Sequence, residues 1–398
     1  MHFKTLRDAG VRGKRVLLRE DLNVPMKDGA IADATRIDAA LPTLRFLNER
    51  GAKTVILSHL GRPDGKPNPK YSLRPLAARL SELLGTDVRF VDDCIGDAAV
   101  AASNALADGG FALFENVRFH PEEEANDSGF ARELAKSGDL YVNDAFGTAH
   151  RAHASTADVA AYLPAYAGLL MEAELAALSR LMGDPARPFV CAIGGAKVVD
   201  KVGVFENLLA KVDAFVIGGG MANTFLAAQG IGVGASLRDP DLLPAQRIIA
   251  TSLARGVDLH LPTDAVVADA FDADDTARTV PLDQVSGGMI LDIGPETARA
   301  YAEVLRRAKT IVFNGPMGVY EKPPYRNGTR VVGEAIAEAT RSGAISVIGG
   351  GDAAAAAHAL GFANAVTHVS TGGGATLEFL EGKTLPGVAA LEQSAART

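Results

Sequence analysis

Residues 370–384 read STGGGATLEFLEGKT. A short apolar run, THV (367–369), leads into three glycines, and a helix-forming segment comes after them, which is how a strand hands over to a helix in a parallel α/β sheet. The closing Gly382-Lys383-Thr384 imitates a wrapped phosphate loop. Such a loop needs its first glycine five positions ahead of the glycine before lysine, and that position is Leu377. Any phosphate held here must therefore sit on a strand–glycine–helix junction.

The same junction recurs along the chain. Short runs rich in Val, Ile, Leu and Phe occur in RVLLRED (15–21), TVILSHL (54–60), FALFENVR (111–118) and LYVND (140–144). They return in FVCAIGG (189–195), AFVIGGG (214–220), TIVFNGP (310–316), AISVIGGG (344–351) and THVSTGGG (367–374). Continuous apolar runs suit strands buried on both faces of a parallel sheet. Helix-like stretches lie between them, for example 38–50 and 75–85, the latter closing on Gly85 as a C-cap. LPAYAGLLMEAELAALSRLMGDPARP (163–188) reads as one helix ended by Gly183-Asp184-Pro185. The expected fold is α/β, with two doubly wound, Rossmann-like parallel-sheet domains, 1–167 and 187–384, joined by an interdomain helix and hinge at 168–186.

Composition agrees with two domains. The chain has 398 residues, 47% of them apolar and 22% charged, enough for two sizeable cores. Forty basic against 48 acidic side chains leave a net charge of −8, which argues against general nucleic-acid or membrane-surface binding while permitting a local basic cleft. Cys94 and Cys191 lack metal or disulfide spacing and read as buried free thiols. The N-terminal MHFKTLRDAGVRGKR has no signal-peptide core, and no apolar run of membrane-spanning length occurs, so a cytoplasmic protein is expected.

The two halves carry different residues after their strands. In the first, the strand ends hold Asp21 and Asn23, His59 and Arg62, Arg118 and His120, Asn143 and Asp144; in the second they hold glycines at 194–195, 218–220, 315, 318, 349–351 and 372–374. Glycine before a helix lets backbone N–H groups approach an anion, and the helix dipole adds to the attraction. Lys197 and Lys201, four residues apart, are expected on one face of the helix that opens after Gly195. Cations are disfavoured at that end, and a negative ligand would resolve the conflict; pairing with Asp200 is the alternative. Asp352 suits both an N-cap and a Mg²⁺ ligand among phosphates. In FALFENVRFH a strand period places Asn116, Arg118 and His120 on one polar face. With Arg36, Arg62 and Arg151 they suggest a pocket for a small polyanion, whereas Glu122–Glu124 read as a solvated run. No nucleophile elbow accompanies these groups, so covalent catalysis is not expected.

Taken together, RVLLREDLNVP, LSHLGRP, ENVRFHPEEE, YVNDAFGTAHRAHAST, GGAKVVDKVGVFENLL, GGGMANTFL, FNGPMGVYE, GGGD and STGGGATLEFLEG closely resemble phosphoglycerate kinases over essentially the full length of the chain. The resemblance implies an N-terminal domain for 3-phosphoglycerate, rejoined by the C-terminal segment 385–398, and a C-terminal domain for the nucleotide. It assigns Asp21, Asn23, Arg36, His59, Arg62, Arg118 and Arg151 to phosphoglycerate. Lys197, Lys201, Gly219, Asn314, Glu321, Gly349, Gly350, Gly351, Asp352 and Ala353 go to ATP or ADP, with Mg²⁺ at Asp352. Arg36, Lys197 and Gly373 fall where the family stabilises the phosphoryl group in transfer. The implied reaction moves the acyl phosphate of 1,3-bisphosphoglycerate to MgADP, reversibly, in a monomer whose lobes close. Departures are Ala353, where Thr or Ser is usual, Glu20 for a common Val, and Phe313 for a common Trp. A nicotinamide-dependent dehydrogenase is disfavoured by the missing GxGxxG. A two-lobed, non-catalytic anion-binding protein stands as the alternative, separable by whether product forms.

Overall fold

Consecutive Val, Leu and Ile residues form strands here because both faces of each sheet are covered by helices. The computed structural model describes residues 2–397. They divide into two compact units, one running to Ala176 and resuming at Thr384, the other spanning Ala177–Lys383. The division falls within the helix Leu169–Met182.

In the first unit six parallel strands lie in the order Val88–Val91, Phe111–Phe114, Lys53–Leu57, Arg15–Arg19, Leu140–Asn143, Ala165–Ala167. Val16 and Leu18 alternate onto the face that meets Ile37 and Leu44 of the helix Thr35–Glu49 and Leu76 and Leu80 of the helix Arg74–Leu84, all fully buried. Each such side chain contributes about 1.5–3 kcal/mol of burial free energy. Gly85 ends the second helix in the left-handed region at φ 65°, its N–H bonded to Ser81 O. The C-terminal helix Pro386–Arg397 belongs to this unit: Ser394 Oγ accepts from Ala165 N at 3.0 Å and Arg397 donates to Ala160 O at 2.7 Å.

The second unit has six parallel strands ordered Asp258–His260, Ala214–Ile217, Phe189–Ile193, Thr310–Asn314, Ile345–Ile348, His368–Val369. The expected pair of doubly wound parallel sheets is thus present. An additional antiparallel sheet, Arg278–Pro281, Asp264–Ala268, Met289–Ile293, flanks it with a bulge between Val266 and Val267. Among the described residues, no helix is long and apolar enough to cross a membrane.

Three local expectations need correction. The strand at 111 stops at Phe114, and Val117–Phe119 is a 3-10 turn with Asn116 as its N-cap, so Asn116, Arg118 and His120 share no strand face. The Asn116 side chain competes with the ladder by accepting from Arg118 N at 3.0 Å, which ends the strand. Residues 165–167 pair as an edge strand before the helix begins at Leu169. After Gly195 the α-helix starts only at Val202, behind a 3-10 turn Val199–Lys201, so Lys197 precedes the helix and Lys201 is its N-cap.

Candidate active site

Open parallel sheets bind ligands beyond the carboxyl ends of their strands, where strand order reverses. In the first unit the reversal lies between Arg15–Arg19 and Leu140–Asn143; in the second, between Phe189–Ile193 and Thr310–Asn314. The residues of interest gather at these two points.

In the first unit Arg36, in the opening turn of its helix, donates to Asp21 Oδ1 at 2.9 Å and to Asn23 O at 3.1 Å. Asn23 Oδ1 in turn accepts from Gly61 N at 2.8 Å, so three loops are tied into one rim. His59 is buried, and its basicity is driven well below normal by burial and then by Arg19, Arg118, Arg151 and Arg36. Arg19 lies 3.2 Å from His59 Nδ1, and Arg118 donates to the same Gly61 whose N–H bonds Asn23, so several guanidinium groups border this rim. Arg118, 4% exposed, donates to Gly61 O at 2.9 Å and pairs with Glu124 at 3.2 Å, yet its buried Nη2 has no hydrogen-bond partner among the described residues. Burial, outweighing Glu124, draws its pKa down to about 10. Arg151 donates to His150 Nε2, at 3.2 Å, and the exposed Arg62 has no ion-pair partner among the described residues. A concentration of under-neutralised guanidinium groups calls for an anion.

Sequence reading missed two supports of this rim. Arg19 is buried, bonded to Ser155 Oγ at 2.8 Å, to His59 Nδ1 at 3.2 Å and to the Glu20 carbonyl. Its signal was a cation closing the apolar strand run RVLLR. Glu123 is fully buried rather than solvated, accepting from Ser155 N at 2.8 Å and Ser155 Oγ at 2.6 Å. Nothing in the run PEEE distinguished its middle glutamate. Glu20 is also buried, its carboxylate oxygens without a hydrogen-bond partner among the described residues, and burial and then the neighbouring Asp144 push its carboxyl well up. Asp144 accepts from Met171 N at 3.0 Å and so anchors the start of the helix Leu169–Met182.

In the second unit the reversal point is built from backbone. Lys201 Nζ donates to Gly194 O and Asn314 O, both at 2.7 Å, clamping the ends of the two central strands; burial lowers its pKa to about 8. Its ammonium is thus engaged by carbonyl oxygens beneath the rim. Lys197 is exposed and forms no ion pair with Asp200 or any other described residue. Asn314 Nδ2 donates to Gly349 O at 2.8 Å, fixing the next glycine loop. A cleft of about 450 Å³ opens here, bounded by Gly219, Leu237, Phe271, Leu291, Glu321 and Asp352.

The glycines fall into two kinds. A Cβ at Gly194 would collide with the Pro316 carbonyl oxygen, and one at Gly219 would lie 2.7 Å from Gly195 O, so protein packing demands both. Around Gly351 and Gly373, by contrast, an added Cβ would meet nothing within 4 Å. Those positions leave space for a ligand. Gly350 is the N-cap of the helix Gly351–Ala359, with Asp352 exposed in its first turn; Asp352 is therefore not the cap. Ala353 is buried in the core beside Ala357. Gly373 caps the helix Gly374–Leu380.

Comparison with known proteins accords with this geometry. A family model described as phosphoglycerate kinase matches residues 6–383. Phosphoglycerate kinases of Chloroflexus aggregans and Pelotomaculum thermopropionicum are each 55% identical, the alignments covering 99% and 98% of this chain and 100% and 99% of theirs. The solved phosphoglycerate kinase of Coxiella burnetii superposes with a TM-score of 0.90 at 44% identity, over 99% of this chain and all of that one. That of Pyrococcus horikoshii gives 0.85 at 36%, with the same coverage. The chain belongs to the phosphoglycerate kinase family.

Proposed function

We propose that the chain carries out its family's reaction by direct in-line transfer of a phosphoryl group between 1,3-bisphosphoglycerate and MgADP, giving 3-phosphoglycerate and MgATP. As a member of that family it is a phosphotransferase with a carboxyl-group acceptor in glycolysis. The observation that carries the assignment of substrate to the first unit is a buried Arg118 whose Nη2 lacks a hydrogen-bond partner among the described residues, beside a rim in which Arg36, Asp21, Asn23 and Gly61 are hydrogen-bonded together. Phosphoglycerate bears a phosphate and a carboxylate, and planar guanidinium groups bind both in bidentate fashion.

In this reading Asp21, Asn23, His59, Arg62, Arg118 and Arg151 position phosphoglycerate, with Asp21 and Asn23 also orienting Arg36. The nucleotide lies in the cleft of the second unit, its phosphates over the open space at Gly351 and Gly373, with Glu321 toward its sugar. Asn314 and Lys201 hold the glycine loops in shape, and the exposed ammonium of Lys197 is free to reach a phosphoryl oxygen. Asp352, exposed and without an ion-pair partner among the described residues, lines the cleft beside the open space at Gly351 and fits Mg²⁺, which takes few protein carboxylates together with phosphate oxygens. When bound, that ion neutralises phosphate charge. Phosphoryl transfer needs alignment and charge neutralisation rather than a protein nucleophile, so Arg36, Lys197 and the backbone at Gly373 stabilise the migrating group. With substrates held by separate units, transfer requires those units to close and exclude water. We further assign the chain to the cytoplasm and to a monomeric state.

A coupled assay with 3-phosphoglycerate and MgATP, omitting each in turn, tests this reading. ADP formation is expected only in the complete mixture. Binding of both ligands without ADP formation would instead indicate a non-catalytic anion-binding protein.

A further inference from the structure

Away from the two strand-reversal points, one cluster of metal-ligating side chains stands out among the described residues: Asp93, Cys94 and His120 each bring a donor atom to within 4.8 Å of the other two. Two separate pieces of backbone build it. Asp93 and Cys94 come after the edge strand Val88–Val91, and His120 after the 3-10 turn Val117–Phe119. Asp93 Oδ1 accepts from Cys94 N at 2.6 Å and lies 2.8 Å from His120 Nε2, while the His120 ring rests against Phe130 with centroids 5.1 Å apart. Both ligand orientations are thus fixed by neighbours. Cys94 is 1% exposed beneath them, and a cleft of about 620 Å³ opens over Asp93, His120 and Glu115.

We propose that Asp93, Cys94 and His120 form a three-donor site for a divalent cation of the zinc class, with a fourth position open to water from the cleft. One sulfur, one imidazole nitrogen and one carboxylate oxygen match zinc rather than Mg²⁺ or Ca²⁺, which favour all-oxygen sets. Tetrahedral zinc at about 2.0–2.3 Å from each donor puts its ligands roughly 3.3–3.7 Å apart, so on loading the Asp93–His120 pair, now 2.8 Å apart, opens by about 0.5 Å while the separations to Cys94, within 4.8 Å, close by about 1.5 Å at most. The carboxylates Asp92, Asp93 and Glu115 line the cleft and favour a cation. Binding forms a metal–sulfur bond and releases the thiol proton to solvent. Cys191, the other thiol, is buried and belongs to no such cluster among the described residues, so it serves as an internal control.

The test is a Co²⁺ titration of the chelator-treated, desalted full chain, and then displacement with Zn²⁺. One equivalent of Co²⁺ is expected to produce a thiolate-to-cobalt charge-transfer absorption that Zn²⁺ abolishes. Cys191→Ser should retain it, Cys94→Ser should lose it, and His120→Ala should weaken binding by at least about tenfold. The wild-type spectrum is decisive even if a variant folds poorly. Absence of a thiolate band in the wild type, or a band that survives Cys94→Ser and disappears in Cys191→Ser, overturns the proposal.

Discussion

Replacing Arg36 with Ala separates a catalytic role from a structural one. The side chain is 37% exposed, and in the folded chain it makes one ion pair, to Asp21, and one bond to a carbonyl, that of Asn23. With its arginine end open to solvent, the pair contributes about 1 kcal/mol, because water and salt screen it and the arginine loses rotamer freedom. Buried Ile37, Leu41 and Leu44 hold the helix without Arg36. Thermal stability should therefore change little. Under the proposed role the cost to turnover is larger, since a donor to the migrating phosphoryl would act with water excluded. Removing one such donor costs about 2.7–4 kcal/mol, or roughly 100- to 1,000-fold in kcat. Arg36→Lys restores the charge without the planar fork and should recover only part of the loss. The assay is the coupled ATPase reaction at saturating 3-phosphoglycerate, paired with thermal denaturation. A fall in kcat of less than about fivefold would refute the assigned role. A melting shift equivalent to several kcal/mol would show that Arg36 acts through the fold instead.

Three further outcomes arise from buried charge. Burial and Asp144 raise the Glu20 carboxyl well above its usual range, so the folded chain keeps this proton longer than the unfolded one. Its stabilising contribution is complete at acid pH and is lost as pH rises through the folded pKa. Glu20→Gln, able to donate to Asp144 without titrating, should therefore be more stable than wild type by about 1–3 kcal/mol in denaturant melts at pH 8 and no more stable near pH 4; an advantage independent of pH would contradict this. Lys201 is lowered to about 8 by burial, so between about pH 8 and its ordinary 10.5 the unfolded chain binds more protons and stability rises with pH. Lys201→Met should unfold at lower denaturant at pH 7.5, because two carbonyl oxygens lose their donor, and the wild type should gain further on it as pH rises; equal slopes would exclude the clamp. His59 lies well below its normal pKa and His153 is lowered to about 4, both chiefly by burial and then by arginine charge. NMR should find both rings neutral at pH 6, and a titration of either near 6.5 would deny that burial and arginine charge govern them.

Much of this architecture was legible because parallel strands buried on both faces leave uninterrupted apolar runs, as in RVLLR and FVCAI, and because tight handovers to helices demand glycine. The small antiparallel sheet was not. Its strands are short, and those at Arg278–Pro281 and Met289–Ile293 are partly exposed, without a continuous apolar run. The site was readable by residue type and less so by register. Arg36 and Arg118 both hydrogen-bond to the linked loops at Asn23 and Gly61, but Asn116 capped its own turn and ended the strand that was to align it with Arg118 and His120. Lys201 read as a phosphate ligand; in the structure its ammonium also bonds Gly194 O, seven residues back, and Asn314 O, 113 residues away, and the second contact is one no local pattern encodes. Glu123 and Arg19 were hidden for the same reason: both are satisfied through Ser155, which is distant from each in sequence.

The direct transfer on which the mechanism rests can be read from stereochemistry. ATP whose γ-phosphoryl group is made chiral with oxygen isotopes should yield acyl phosphate of inverted configuration, as a single in-line displacement with no protein nucleophile requires. Retention of configuration would mean two displacements through a phosphorylated side chain, and would contradict the account.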